Sequence, residues 1–161
     1  MRNVTRIILQ LATAIGVLMV IAIVASGQKT RATAPSLAAP EQPLFLEYKG
    51  IRLGMTADEV RAKLGNPTVK GDDQDYFIIS DSETAQFAYD AAHKVVTISI
   101  DYTGVAAPDY HNVIGPSIDQ MQDGSLYKLV RYEAQGFWVS YIRAAANGTV
   151  TITIQKINRL R

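Results

Sequence analysis

The stretch from Gly54 to Pro67 constrains the fold more than any other part of the sequence, because it carries a full set of signals for one short helix. Thr56 is a preferred N-cap residue, and Glu59 three positions later completes a capping box in which each residue satisfies a backbone N–H of the other. Gly65 predicts a left-handed C′ position, and the proline after it prevents the helix from continuing. A helix of only about two turns is unstable alone, so it must pack on an apolar surface.

That surface is predicted to be a β-sheet. Val60 and Leu64 are the helix residues that we expect to dock on it. After the helix, the hydrophobic period changes to two, which is typical of strands with one buried and one wet face. The predicted strands are residues 76–80, 84–90 and 94–101, followed by residues 126–133, 137–143 and 149–157.

The two groups of strands resemble each other. Residues 96–100 match residues 150–154 at an offset of 54, and Pro108-Asp109 is a possible cap for a second, shorter helix. These matches predict two tandem units, residues 44–104 and 105–161, each a helix followed by a three-stranded meander, with the second helix degenerate. Chance similarity between β-rich strings is the alternative. The predicted fold class is α+β, with short helices packed on an antiparallel meander sheet.

The N-terminal region predicts a membrane segment. Residues 7–26 are almost all apolar and uncharged, and about 20 such residues cross a bilayer as a helix. A cleaved signal peptide has a shorter apolar stretch of about 7–15 residues, so we favour an uncleaved signal anchor in residues 1–26. The basic residues before the segment place the N-terminus in the cytoplasm. Cleavage near Ser26 is the alternative, and both predict a folded domain outside the cytoplasm.

A tether and a folded domain are predicted to follow. Residues 27–43 lack hydrophobic periodicity and contain three prolines, which is typical of an extended linker. The folded domain is then predicted to be residues 44–161. Its first part, residues 44–53, is apolar and is expected to lie across the same core that the helix covers.

The composition gives little support to catalysis. The chain has no cysteine, a net charge of +1 and two histidines, so it favours neither a thiol nucleophile nor nucleic acid. His93 and His111 lack metal-ligand spacing, and we interpret the first as a solvated turn residue and the second as structural or incidental. Asp72, Asp73 and Asp75 form an acidic loop that we interpret as a solvated turn rather than a calcium site. We expect no enzyme activity, no cofactor and no metal.

A protein-binding surface is better supported. Side chains alternate between the two faces of a strand, so Trp138 and its neighbour Phe137 point to opposite faces of the sheet. One set fills the core. The other is either an exposed patch that anchors a protein partner or a surface covered by a helix or by the start of the domain. If it is exposed, Tyr127, Arg131 and Trp138 are the candidate contact residues.

The helix and meander together resemble a known family. The run Gly54-Met55-Thr56 to Glu59-Val60, then Leu64-Gly65-Asn66-Pro67, then a meander ending in an aliphatic and threonine strand, resembles the SmpA/OmlA family of bacterial envelope proteins. That family includes BamE-like components of the outer-membrane protein assembly machine, and the β-lactamase inhibitor protein has the same architecture in duplicate. The resemblance covers residues 48–102, with residues 108–157 as a diverged second copy.

The resemblance implies a function without catalysis. Together with the predicted anchor and tether, it implies a single-pass inner-membrane protein whose periplasmic domain binds an envelope protein or scaffolds an envelope complex. A secreted inhibitor or ligand-binding module, released after signal cleavage, is the alternative. The assembly proteins look like lipoproteins with an acylated cysteine after the signal, and this chain has no cysteine. The resemblance therefore does not extend to an outer-membrane lipid anchor.

Overall fold

The computed structural model describes residues 42–104 and 107–158. In these residues one antiparallel sheet of eight strands carries two short helices, in the strand order β1-β2-β3-β4-β8-β7-β6-β5. The elements are α1 (Ala57–Leu64), β1 (Val69–Lys70), β2 (Gln74–Ser80), β3 (Glu83–Tyr89), β4 (Val95–Tyr102), α2 (His111–Ile114), β5 (Asp119–Gln120), β6 (Leu126–Tyr132), β7 (Phe137–Arg143) and β8 (Val150–Lys156). The predicted α+β fold class is confirmed at this level.

The predicted signal anchor, residues 1–26, and almost all of the predicted tether lie outside the described residues. Within the described residues, no helix has the length and apolar character needed to cross a bilayer.

Helix α1 forms at the predicted position. The N–H of Glu59 donates to Thr56 Oγ1 over 3.3 Å, and the N–H of Thr56 donates to Glu59 Oε2 over 2.7 Å, which completes the predicted capping box. Val60 is fully buried and Leu64 packs against the core, so the predicted docking is confirmed. Gly65 has φ 83° but ψ −157°. The predicted left-handed conformation is therefore wrong, because only its positive φ is present.

The six longer strands start and end within two residues of the predicted positions, whereas β1 and β5 were not predicted. Each of these two strands has only two residues, which is too short to show a period. Alternation along β4 predicts that Val96 shares the core face with Ile98 and Ile100. This is wrong, because the pairing of β4 shifts by one residue opposite Ala88 and Tyr89 and Val95 is buried instead.

The sheet has one buried face and one open face, as predicted. Both helices and residues 44–53 contribute side chains to the core on the same face. Because these elements all lie on the core side, none of them covers the opposite face, which we call the open face. The largest fully buried core residues on the strands are Phe87, Ile98, Ile100, Ile152 and Ile154.

The two halves of the sheet meet at the pair β4–β8. Ser99 pairs with Thr153, its counterpart at the offset of 54, and their hydroxyl oxygens lie 3.4 Å apart. Strands β3 and β7 are related by the same offset. Each half contains a helix, a two-residue strand and three longer strands, but α1 has eight residues and α2 only four. Asp109 accepts a hydrogen bond from the N–H of His111. The predicted cap at Pro108-Asp109 is nevertheless wrong, because the N-cap residue of α2 is Tyr110, whose side chain forms no capping hydrogen bond.

Candidate binding surface on the open sheet face

The structure places the three predicted contact residues on the open face, at the β6 and β7 end of the sheet. Arg131 and Trp138 are direct cross-strand partners, and Tyr127 pairs with Ile142 in the same way. Directly opposed residues share a face and touch. Tyr127 lies four residues along β6 from Arg131, about 14 Å at the rise of an extended chain, so the three residues do not form one contact.

Two further residues complete the surface. Leu129 lies between Tyr127 and Arg131 on the same side of β6, and Ile142 is 38% exposed beside Tyr127. Neither residue is among the three predicted contact residues, although the period of two that places Trp138 on this face also places Leu129 and Ile142 there. We call the five residues Tyr127, Leu129, Arg131, Trp138 and Ile142 the β6–β7 patch.

The part of the open face on β4 and β8 is polar but almost uncharged. Its residues on β4 and β8 are Thr97, Ser99, Asp101, Thr151, Thr153 and Gln155. Asp101 accepts a hydrogen bond from the Thr151 hydroxyl over 2.6 Å. Arg131 donates from Nε to Glu133 Oε1 over 2.6 Å and remains 52% exposed at its side chain. A contact at this face would therefore depend on shape and apolar area more than on charge.

In the first half of the sheet, β2 also carries large residues on the open face, Tyr76 and Ile78, and Ile78 is 58% exposed, but β3 has no large apolar residue there. At the offset of 54, Trp138 corresponds to Thr84 and Ile142 corresponds to Ala88, both on the open face. No model of a known protein family matches the chain. Neither the curated proteins nor the solved structures contain a match to it.

The acidic loop differs most from its predicted role. Asp72 and Asp73 are exposed, but Asp75 is completely buried, so its interpretation as a solvated turn residue is wrong. Arg61 of α1 donates from Nε to Asp75 Oδ2 over 2.8 Å and from Nη2 to Oδ1 over 3.1 Å. The hydroxyl of Tyr89 donates to Oδ2 over 2.8 Å. The cluster links α1 to β2 and β3, and both carboxylate oxygens accept hydrogen bonds within the fold. The role of Asp75 is therefore structural.

This cluster gives a testable pH dependence. Burial raises the pKa of Asp75, but the hydrogen bonds from Arg61 and Tyr89 and the Arg61 charge outweigh burial and hold the pKa below its usual value. A carboxyl with a lowered folded-state pKa stabilises the fold above its unfolded-state pKa, about 3.9, and loses that contribution as the pH falls through the folded-state pKa. We expect the urea midpoint of the wild type to fall more steeply below about pH 4 than that of Asp75→Asn.

The comparison with Asp75→Asn is needed because the pKa values of several exposed carboxyls, such as Glu59 and Asp90, are also lowered. Those groups contribute equally to both proteins. Equal acid slopes in the two proteins would contradict an ionised, paired Asp75.

A second polar cluster fixes the start of the domain. The hydroxyl of Tyr48 donates to Glu83 Oε1 over 2.8 Å, and Lys49 Nζ lies 3.6 Å from Glu83 Oε2. Burial, followed by the neighbouring Glu83 carboxylate, raises the pKa of Tyr102 to about 12. All of these groups are paired within the fold. The cluster holds residues 44–53 on the sheet and offers no free acid or base.

The histidines lie at turns. His93 is exposed in the β3–β4 turn with φ 53°, which confirms its interpretation as a solvated turn residue. His111 is exposed at the start of α2, with Nδ1 2.5 Å from Asp109 Oδ1. Across residues 42–104 and 107–158, no three His, Cys, Asp or Glu side chains are grouped in a way that could hold a metal ion.

A groove of about 1270 Å³ lies on the core side of the sheet. Leu46, Leu53, Phe137 and Ile154 provide its apolar lining. Its ionisable lining residues are cations, and the Arg52 cation is already paired with Glu47. A groove with this lining has room for an apolar group but presents no combination of acid, base and nucleophile.

Proposed function

We propose that the chain is a membrane-anchored envelope protein without enzymatic activity, whose extracytoplasmic domain binds another protein through the β6–β7 patch. The observation that carries the proposal is the position of Trp138. It lies on the face that carries neither helix, next to an exposed Arg131. Aromatic and arginine side chains grouped on a surface are the residues that most often dominate protein–protein contacts.

The difference between the two halves supports this function. Two core-side positions of β4 and β8 are identical at the offset of 54, with isoleucine at 98 and 152 and again at 100 and 154. On the open face, β3 has small or polar residues where β7 has Trp138 and Ile142. Core packing accounts for the two shared isoleucines. It does not call for a tryptophan on a face that no helix covers, and a partner contact would make use of one.

We also propose that the two halves arose by duplication and that the chain is a tandem SmpA/OmlA-like protein. The shared plan of the halves and the hydrogen bond between Ser99 and Thr153 support this origin. The apolar segment in residues 1–26 supports anchoring in a bacterial inner membrane, with the domain in the periplasm. Recovery of a mature chain that begins at Gly27 in a soluble fraction would favour the secreted alternative.

Site-specific photocrosslinking in native cells tests the binding surface. A photoreactive amino acid at position 142, inside the patch, is expected to form a discrete adduct with one protein, whereas the same probe at Ala88 is expected to form none. Adding Trp138→Ala is expected to reduce the adduct at position 142 by about tenfold or more, since loss of a hot-spot aromatic costs at least about 2 kcal/mol. Equal labelling from positions 142 and 88, or none from either, would contradict the proposal.

A further inference from the structure

We propose that the outer edge of β6 binds an extended segment of another protein, which adds to the sheet as a further strand beside the β6–β7 patch. The inference deepens the proposed function, because it names the form of the partner segment and the backbone groups that recognise it. It depends on the proposed function in one respect, which is that the partner is a protein. Its physical basis is the peptide groups of Leu129 and Arg131.

The direction of these peptide groups follows from the hydrogen bonds of β7. The N–H of Ile157 donates to the carbonyl of Gly136 over 2.8 Å, so the next residue, Phe137, directs its own N–H and C=O away from β8 and toward β6. Peptide groups alternate in direction along an antiparallel strand. The register of β6 on β7 therefore directs the N–H and C=O of Leu129 and Arg131 to the outer edge.

Strand β5 covers only part of that edge. It pairs with Leu126 and Tyr127 and ends there. The N–H of Met121 donates to the carbonyl of Ser125 over 2.8 Å, which gives the same alternation from the β5 side. Within residues 42–104 and 107–158, the N–H groups of Leu129 and Arg131 have no hydrogen-bond acceptor.

In the first half of the sheet, the next outward N–H beyond the short edge strand has a hydrogen-bond acceptor. Strand β1 pairs Val69 with Tyr76 at the outer edge of β2. Two residues further along β2, the N–H of Ile78 donates to Thr68 Oγ1 over 3.1 Å. The residue before β1 therefore satisfies the next outward N–H of β2 with its side chain.

The second half lacks that side chain. If the halves are compared by the pairing of each two-residue edge strand, rather than by the offset of 54, the pair equivalent to Val69 and Tyr76 is Asp119 and Tyr127. Two residues further along β6 is Leu129, and the residue before β5 is Ile118. An isoleucine side chain has no hydrogen-bond acceptor. The N–H of Leu129 therefore lacks the internal partner that Thr68 provides in the first half.

The charged side chains at this edge form hydrogen bonds to other groups of the same chain. Charged side chains that project over a strand edge keep other strands away. Here Lys128 Nζ donates to the carbonyl of Ser117 over 2.9 Å, and Arg131 Nε donates to Glu133 over 2.6 Å. Two copies of this chain joined at β6 would bring the same cations together. Charge therefore favours a different protein whose segment is neutral or acidic.

The spacing of the unpaired peptide groups of Leu129 and Arg131 fits an extended backbone. Residues two apart on a strand are about 6.8 Å apart, so Leu129 and Arg131 match residues two apart on another extended chain. Strand addition of this kind takes its affinity from main-chain hydrogen bonds and its specificity from alternate side chains. Those side chains would contact Leu129 and Trp138 on the open face. The expected partner segment is extended and apolar at every second residue.

A peptide probe tests the inference on the full chain in detergent micelles. The probe is a fluorescein-labelled peptide of alternating valine and threonine with one aspartate, and anisotropy gives its Kd. Two matched peptides carry N-methyl groups on the odd or on the even residues. One of them is expected to bind at least about tenfold more weakly, because its methyl groups remove donors that face β6, and the other about as well as the parent. Equal affinity of all three, or no binding of the parent, would overturn the inference.

Two variants exchange the side-chain acceptor that precedes the short edge strand in the two halves. Ile118 packs against the core, so Ile118→Thr is compared with Ile118→Val, which has the same shape without the hydroxyl. The threonine hydroxyl is expected to act as the missing acceptor and to weaken the probe about fivefold or more relative to the valine variant, in the range of one hydrogen bond. Thr68→Val frees the N–H of Ile78 and is expected to add a second binding site per chain. Because these changes lie in different halves, misfolding of one variant leaves the other as a test. Unchanged binding in both would overturn the inference.

Amide hydrogen exchange of the free protein gives a further readout. The amides of Leu129 and Arg131 are expected to exchange faster than that of Val130, which faces β7. Protection of all three to the same extent would overturn the inference. Adducts at position 142 together with a probe that does not bind would overturn the inference and leave the proposed function standing, so the two failures are distinguishable.

Discussion

Arg61→Met is expected to lower the free energy of unfolding by about 3 to 5 kcal/mol, because it leaves a buried carboxylate without its partner charge. Asp75 is completely buried and receives two hydrogen bonds from Arg61. Without them, Asp75 must either keep an unpaired charge in the core or take up a proton at neutral pH, and both cost free energy. Urea unfolding of the full chain at pH 7 measures the effect.

Arg52→Met is the matched control. Arg52 also pairs with a carboxylate, that of Glu47, but the two side chains are 69% and 41% exposed. Exposed ion pairs contribute about 0 to 1 kcal/mol. We expect the double variant Arg61→Met/Asp75→Asn to recover part of the loss, since it removes the buried charge together with its partner. If Arg61→Met costs no more than Arg52→Met, the cluster does not hold α1 on the sheet.

Phe87→Ala is expected to lower the free energy of unfolding by about 3 to 5 kcal/mol, the usual cost of a large cavity in a core. Phe87 is completely buried, and its ring meets Phe77 edge-on at 5.6 Å and lies 6.3 Å from Tyr48. It therefore joins the sheet to the segment that leads into α1. Denaturation of the full chain, followed by circular dichroism, measures the loss.

Ile142→Ala is the control on the other side of the sheet. Ile142 is 38% exposed on the open face, and surface substitutions usually change stability by about 0.5 kcal/mol or less. The contrast between the two variants also tests which side of the sheet is covered. Comparable losses would mean that a layer packs on the open face as well, which would contradict the proposed binding surface.

The Asp75 cluster shows why one interpretation of the sequence was wrong. Asp75 lies in an acidic run, so its local neighbours indicate a solvated loop. It is nevertheless in register with Phe77 on the core side of β2. Its partners, Arg61 and Tyr89, are each 14 residues away in sequence and meet it only after α1 has docked and β3 has paired. A local pattern carries no information about contacts over that distance.

The candidate surface could be predicted only in part, because only some of its features depend on local sequence. Alternation along β7 places Trp138 opposite Phe137 without any knowledge of the fold. Which of the two faces carries the helices depends on how residues 44–53 and both helices cross the sheet. The free edge at Leu129 depends on where β5 ends, and a two-residue strand leaves no periodic signal in the sequence.

The sequence by itself determined α1, with its capping box, and the six longer strands, because capping and alternation depend on residues within a few positions of each other. It also determined that one sheet face is apolar. Only the tertiary structure decided that β4 pairs with β8, that Asp75 is buried, and that the open face and the β6 edge remain uncovered in the described residues. These features are set by contacts between distant segments, whose free energies are gained only when the whole sheet has assembled.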